Sequence, residues 1–180
     1  WKVWFASHTL KNTPLPDINY IKLDKAPPKH SKLDQNQKSS VIAFKQLLSY
    51  KRADGLSPKR IYVHAGWGLG AFLKELFPNS AIIVYSEWWF NLFAQDFLFN
   101  PSDFHVQHNL DNRLLSLLRN HSFAYELLNS DLIIAPTEWQ RSQLPEIFQQ
   151  KCHVIFDGID PKMFSPGQQT KHANKKIASL

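Results

Sequence analysis

The segment of residues 130–166 constrains the fold more than any other part of the chain. It contains two short apolar runs, at residues 131–135 and 153–156, with a helical stretch between them. Thr137 and Gln140 have the form of a capping box, which satisfies free backbone donors where a helix begins. Strand, helix and strand in this order are typical of a βαβ unit, so we expect a parallel sheet covered by helices.

The same alternation of strands and helices runs through the rest of the chain. Apolar runs predict a buried strand at residues 3–7 and further strands at residues 18–23, 60–64 and 81–86. Apolar residues at helical spacing predict helices at residues 38–52, 69–76 and 110–128. This order predicts an α/β fold with a doubly wound, mainly parallel sheet, helices on both faces and right-handed crossovers.

Several motifs along the chain resemble one enzyme family. They are the run HAGWGLGAFLKELFP at residues 64–78, PTEWQ at residues 136–140, a Gly-Ile-Asp turn from Gly158, and Phe-x-Pro from Phe164. In this order and spacing they are similar to the N-terminal domain of bacterial-type family-four glycosyltransferases, and the resemblance covers nearly the whole chain. Such enzymes have the GT-B fold, in which two doubly wound domains face each other.

The resemblance implies a domain division and an activity. Residues 1–166 would form the acceptor-side, Rossmann-like domain without its first βα unit, and residues 167–180 a linker or tail toward a C-terminal donor-binding domain that this chain lacks. The enzyme would be a retaining glycosyltransferase of the hexosyltransferase type. It would move a sugar from a nucleotide-sugar donor to a hydroxyl acceptor, glycan or lipid-linked, and need no metal or other cofactor. The chain alone is expected to be inactive.

Composition is compatible with a globular domain. Of the 180 residues, 43% are hydrophobic and 20% are charged, and no apolar stretch approaches the roughly 20 residues that span a bilayer. The net charge of +6 permits anionic partners without naming one. Cys152 is the only cysteine, so there is no internal disulfide. We expect a cytoplasmic location and leave open a peripheral contact with the inner membrane face.

Ligands of open α/β sheets bind beyond the carboxyl ends of the strands, and this rule selects His64 and the residues after it. Gly66 and Gly68, on either side of Trp67, allow the backbone to approach a ligand closely. We therefore predict a substrate-binding loop at Gly66, Trp67 and Gly68, with His64 as a catalytic residue. The spacing differs from the dinucleotide pattern, because the third glycine comes one residue early. The alternative is a tight strand-to-helix turn that His64 caps.

Glu87 follows the next predicted strand and is the second candidate catalytic residue. Family-four enzymes commonly carry a histidine near this point, where this chain has Ser86 and Glu87. A carboxylate could take the proton of an acceptor hydroxyl as a general base. It could also orient a sugar, or pair with an arginine such as Arg119. Because His64 and Glu87 each follow a strand of the same parallel sheet, we expect their side chains to lie close together.

Other candidate substrate-binding residues come from aromatic, basic and turn positions. Trp88 or Trp89 could stack on a sugar face, and Arg119 could bind an anion. Gly158 and Asp160 lie in the loop that, by the resemblance, approaches the donor cleft. His105 and His108 lack the cysteines or carboxylates of a zinc site, so no metal site is predicted.

Two rival functions come from other classes of protein. One is a non-catalytic, flavodoxin-like domain that binds a small anion at residues 66–70. The other is a nucleic-acid binder, which should interleave basic residues with exposed aromatic residues. The aromatic-rich segment of residues 88–104 contains no Lys or Arg, so a nucleic-acid partner is not expected.

Overall fold

The computed structural model describes residues 2–9, 15–27, 32–91 and 110–164. The strands are β1 (Val3–Ser7), β2 (Ile18–Lys22), β3 (Arg60–His64), β4 (Ala81–Tyr85), β5 (Leu132–Ala135) and β6 (Cys152–Val154). The helices are α1 (Lys32–Ala53), α2 (Leu73–Leu76), α3 (Leu110–Leu118), α4 (Asn120–Leu128), α5 (Glu138–Gln143) and α6 (Glu146–Gln149). No helix within these residues is long and apolar enough to cross a bilayer.

Every strand pair in the described residues is parallel. β1 pairs with β2, and a second sheet has the order β3-β4-β5-β6. Its register places His64 opposite Tyr85 and Tyr85 opposite Ile134, so the carboxyl ends of β3, β4 and β5 meet at one edge. The predicted α/β, doubly wound fold with a parallel sheet is confirmed.

The core lies between the sheets and the helices that cover them. Ile82, Val84 and Ile133 are at most 2% exposed, as expected for central parallel strands. Leu127 of α4 and Ala43 of α1 belong to the same cluster, which also includes residues of both sheets. Each large aliphatic side chain buried in this way stabilises the fold by about 1.5–3 kcal/mol.

The prediction of a buried strand at residues 3–7 is wrong in its burial, although the strand exists. Val3 and Phe5 are about half exposed, whereas Trp4 between them packs against the core. Side chains alternate between the two faces of a strand, and one face of β1 is open in the described structure. An apolar run therefore does not distinguish a strand buried on both faces from one with an apolar outer face.

Two predicted helices are shorter or interrupted. Only Leu73–Leu76 is helical after β3, because residues 65–72 form successive turns. The long helix predicted at residues 110–128 is divided into α3 and α4 at Arg119, whose amide donates to the carbonyl of Ser116. The predicted start of α5 is confirmed, since the amide of Gln140 donates to the hydroxyl oxygen of Thr137 over 3.3 Å.

Candidate active site

His64 and Glu87 lie together at the carboxyl edge of the sheet. Nε2 of His64 is 3.4 Å from Oε2 of Glu87, and both side chains are about half exposed. His64 is the last residue of β3, and Glu87 comes two residues after the end of β4, the neighbouring strand. The predicted proximity is confirmed. A substrate can reach both groups from solvent.

The hydrogen bond of Nδ1 in His64 determines whether Nε2 of the neutral ring donates or accepts. Nδ1 is 3.2 Å from the carbonyl oxygen of Ala65. A carbonyl only accepts hydrogen bonds, so Nδ1 carries the proton in this contact and Nε2 of the neutral ring is an acceptor. A protonated ring would place the N–H of Nε2 against the carboxylate of Glu87 as an ion pair. With a neutral ring, Nε2 and the carboxylate are two hydrogen-bond acceptors side by side, and a hydroxyl group placed beside them can donate to either one.

Tyr85 connects this pair to the loop that follows β6. Its hydroxyl donates to Oδ2 of Asp157 over 2.7 Å, and its ring lies 5.3 Å from the imidazole of His64 between centroids. Burial and then the hydrogen bond to Asp157 raise the pKa of Tyr85 far above its ordinary value, so the phenol remains a donor. The sequence-based prediction missed both residues. The strand-end rule could have found them, because Tyr85 ends β4 and Asp157 follows β6.

Close contacts with α1 and α4 leave no room for a side chain at two of the glycines after His64. Gly66 has φ +92°, and a Cβ there would lie 2.3 Å from the ring of Phe123 in α4. Gly68 has φ +76°, and a Cβ there would lie 2.6 Å from the carbonyl oxygen of Asn36 in α1. L-residues with side chains rarely adopt such φ values, and these positions also lack space for a side chain. Residues 65–70, which we name the glycine loop, therefore pack tightly between α1 and α4.

Glu126 of α4 closes the glycine loop from beneath. Its side chain is 1% exposed; Oε2 accepts from the amide of Gly66 over 2.8 Å and Oε1 from the amide of Gly70 over 2.9 Å. Burial raises the pKa of Glu126 to about 7, although the two amides and His64 act in the opposite direction. Sequence reasoning missed this residue. The available signal was its place on the buried face that Phe123 and Leu127 also share.

The contacts of Glu126 bear on the alternative prediction that residues 66–70 bind a small anion. The amides of Gly66 and Gly70 already bind an internal carboxylate. α2 begins only at Leu73 and is a single turn, so it adds little positive potential at the loop. The outward feature of the loop is instead Trp67, which is 62% exposed. The glycine loop fits an aromatic contact surface better than an anion cradle.

Arg119 does not pair with Glu87 in the described structure. Its guanidinium carbon is 5.2 Å from the ring centroid of Phe90, a cation–π distance. The next residue, Asn120, exchanges hydrogen bonds with the backbone of Phe90, accepting over 3.1 Å and donating over 2.7 Å. These contacts fix the segment after Glu87 against α4. They leave the carboxylate of Glu87 beside His64.

Comparison with known proteins decides the class. A family model described as the glycosyl transferase family 4 group matches residues 1–164. The chain belongs to this glycosyltransferase family. No curated protein matches the chain. The run of residues 64–78 within this match begins at His64, the last residue of β3, and continues through the glycine loop and α2.

The two tryptophans after Glu87 have different environments in this glycosyltransferase domain. Trp88 is 36% exposed and lies 5.8 Å from the ring of Trp139. Trp89 packs against the core and lies 5.8 Å from the ring of Phe148. Trp88 is thus the one of the pair that can contact a sugar, whereas Trp89 anchors the segment. The remaining aromatic-rich residues, 92–104, and the histidines at 105 and 108 lie outside the described residues.

The loop after β6 carries the last two predicted site residues of the glycosyltransferase. Gly158 has φ +80° and is exposed, with no atom within 4 Å of a Cβ placed there. Asp160 is exposed, and its Oδ1 accepts from the amide of Lys162 over 2.9 Å. Both residues therefore shape a turn at the surface. Their predicted contact with a donor stays a prediction.

A metal site is not found where the structure describes the chain. No group of three His, Cys, Asp or Glu side chains that could hold an ion occurs among those residues. The prediction that the reaction needs no metal stays a prediction.

Proposed function

We propose that the chain is the acceptor-side domain of a retaining GT-B glycosyltransferase. The complete enzyme moves a sugar from a nucleotide-sugar donor to a hydroxyl group of a glycan or lipid-linked acceptor. Family membership supports the transferase class. The observation that carries the acceptor role is the placement of His64 and Glu87, 3.4 Å apart and open to solvent at the carboxyl edge of parallel strands.

The chemical step needs a proton acceptor beside the acceptor hydroxyl. The oxygen of this hydroxyl bonds to the anomeric carbon on the face from which the phosphate leaves, while the bond from that carbon to the phosphate oxygen of the donor breaks, so the anomeric configuration is retained. The hydroxyl proton passes to the carboxylate of Glu87, and the electron pair of the broken bond leaves with the nucleotide. His64, held through Nδ1 by Ala65, accepts a hydrogen bond at Nε2 and orients the hydroxyl. Positioned general bases contribute about 10²–10⁴-fold to rate.

Exposed aromatic side chains follow each member of this pair closely in the sequence and suit an acceptor that is a sugar. Trp67 is exposed on the glycine loop after His64, and Trp88 is exposed directly after Glu87. Aromatic faces stack on the C–H surfaces of sugar rings. Under this proposal, the two tryptophans hold the acceptor ring while its hydroxyl points at Glu87. Gly158 and Asp160 would contact the donor side.

The remaining parts of the proposal concern the rest of the enzyme. Residues 1–166 form the acceptor-side domain, and residues 167–180 lead toward a second domain that holds the donor nucleotide. Catalysis uses positioning and electrostatic stabilisation of the leaving phosphate, without a metal or further cofactor. The enzyme works in the cytoplasm, and a lipid-linked acceptor would bring it to the inner membrane face.

A direct test compares the chain with a two-domain enzyme that contains it. Purified residues 1–180 should release no nucleotide from a panel of nucleotide sugars, with or without hydroxyl acceptors, because under this proposal the donor nucleotide binds to a second domain. The two-domain enzyme should release nucleotide in an acceptor-dependent manner. Robust sugar transfer by residues 1–180 alone would contradict the assignment of the chain to the acceptor side.

A further inference from the structure

Side chains of two helices hold the glycine loop: those of α1 bind its carbonyl groups, and that of α4 binds its amides. From α1, Asn36 donates to the carbonyl oxygen of Gly66 over 3.1 Å, and the hydroxyl of Ser40 donates to the carbonyl oxygen of Gly68. From α4, the carboxylate of Glu126 accepts from the amides of Gly66 and Gly70. Two amides of the loop thus share one acceptor group, the buried carboxyl group of Glu126.

We propose that Glu126 is a positioning residue of the acceptor site, which sets the shape of the glycine loop and thereby the places of His64 and Trp67. The catalytic part of this inference rests on the proposed function. Glu126 itself is 1% exposed and lies beneath the loop, so it cannot touch a substrate. Its effect passes through the two amides that it binds.

The geometry explains why a carboxylate is needed at this position. Gly66 and Gly70 each present an N–H, at 2.8 and 2.9 Å from separate oxygens of the same group. Glutamine has one oxygen and one NH₂, so it would direct a donor at one of the two amides. Aspartate keeps the charge, but it is one methylene shorter and cannot reach both amides from the same backbone position. A buried amide without an acceptor costs free energy comparable to a lost hydrogen bond.

A short covalent path leads from these amides to the catalytic pair. The carbonyl oxygen of Ala65 binds Nδ1 of His64, and the same peptide group contains the amide of Gly66 that donates to Glu126. One peptide plane therefore joins Glu126 on one side and His64 on the other. Rotation of this plane would release Nδ1 and change which ring nitrogen accepts a hydrogen bond. Trp67 follows Gly66 directly and would move with it.

Phe123 provides a matched control on the same helix. Its ring lies against Gly66, and an apolar ring makes no hydrogen bond with the amides of the loop. Phe123→Leu removes packing and keeps the carboxylate. Glu126→Gln keeps the volume and removes the second acceptor. The two variants separate loss of packing from loss of amide anchoring.

The first measurement is amide hydrogen exchange in the full chain of residues 1–180, monitored by NMR at the amides of Gly66 and Gly70. We expect Glu126→Gln to accelerate exchange at one or both glycines by about tenfold or more, as for a lost hydrogen bond to a charged group. Exchange at Val84 and Ile133 reports whether the core remains folded. In Phe123→Leu, the two glycine amides should stay more protected than in Glu126→Gln, relative to these core amides.

Glu126→Asp keeps the comparison possible if the glutamine variant does not fold. It retains a carboxyl group at this position but is one methylene shorter, so only one of the two glycine amides should lose protection. Equal protection of both amides in wild type and in every folded variant at Glu126 would overturn the proposal.

The second measurement is steady-state kinetics of the two-domain enzyme. Glu126→Gln should lower kcat/KM for the acceptor by about tenfold or more while the KM for the donor stays unchanged, because a displaced group near the reaction costs rate rather than donor affinity. A merely structural residue would lower the Tm and leave the KM and kcat of the surviving enzyme unchanged, which would overturn the catalytic part. If wild-type enzyme transfers no sugar, the proposed function fails, whereas the amide exchange still decides whether Glu126 holds the loop.

Discussion

Oε2 of Glu87 lies 3.4 Å from Nε2 of His64, across the carboxyl ends of two neighbouring parallel strands. Neither group is buried. Arg119, which the sequence offered as a partner for Glu87, lies over the ring of Phe90 instead. The pair is therefore available to a ligand. It also stands on rigid elements, because His64 ends β3, and Asn120 fixes the backbone of Phe90 after Glu87.

Removal of the Tyr85 hydroxyl should loosen the loop after β6. Tyr85→Phe keeps the ring that packs against His64 and loses the hydrogen bond to Asp157. Asp157 is exposed and can bind water instead, so we expect a loss of about 0.5–1.5 kcal/mol and a Tm lower by about 1–6 °C. Thermal unfolding by circular dichroism measures this change. An unchanged Tm would show that the bond contributes nothing to stability.

A side chain at Gly66 should be more damaging than one at another glycine with positive φ. Gly66→Ala places a methyl group 2.3 Å from the ring of Phe123, whereas Gly158→Ala meets no atom within 4 Å at nearly the same φ. Both variants carry backbone strain, and only the first must also displace core atoms. We expect Gly66→Ala to be less stable than Gly158→Ala by roughly 1–3 kcal/mol in denaturant unfolding. Equal stability of the two would contradict the tight packing of the glycine loop.

Stability should fall as pH rises toward neutrality because of Glu126. Its pKa is raised from 4.5 to about 7 in the folded chain, so between these values the folded state binds a proton that the unfolded state has released. The free energy of unfolding then decreases with increasing pH across this window. His64 is the titratable group that acts on Glu126 and opposes its shift.

The measurement is the free energy of unfolding from urea titrations at several pH values, for wild type and Glu126→Gln. The glutamine variant has no group to ionise at this position, so the difference between the two chains should change across the window and level off below and above it. Parallel pH profiles for the two proteins would contradict a raised pKa of Glu126.

Much of the fold follows from local patterns in the sequence. The apolar runs that become β3, β4 and β5 are each bounded by polar or turn residues. The central strands β4 and β5 are largely buried, as parallel strands covered on both faces are, whereas β3 lies at the edge of the sheet and exposes Tyr62. The meeting of His64 and Glu87 follows from strand ends alone. It did not require knowledge of any side-chain contact, because the edge of a parallel sheet collects the residues that follow its strands.

Other features depend on contacts between distant segments. Leu69 and Phe72 have helical spacing with Leu73 and Leu76, but the turns at Gly66 and Gly68 delay the helix until Leu73. Glu126 has the sequence appearance of a solvated helix carboxylate. Its place on the face of α4 shared with Phe123 and Leu127 is a local signal, but the amides that allow a carboxyl group to be buried there belong to the glycine loop, 56 residues or more away along the chain. Burial of polar groups with partners elsewhere in the chain is not encoded in a local pattern.

The central claim is that Glu87 takes the proton of the acceptor hydroxyl, and Glu87→Gln in the two-domain enzyme tests it most directly. Glutamine keeps the size and hydrogen-bonding shape of the side chain but cannot take a proton. Glu146→Gln, at an exposed glutamate of α6, is the matched control. We predict that Glu87→Gln lowers kcat by about 10²–10⁴-fold with an unchanged Tm, while Glu146→Gln retains wild-type kcat and Tm. Near-normal turnover of a stable Glu87→Gln enzyme would contradict the account.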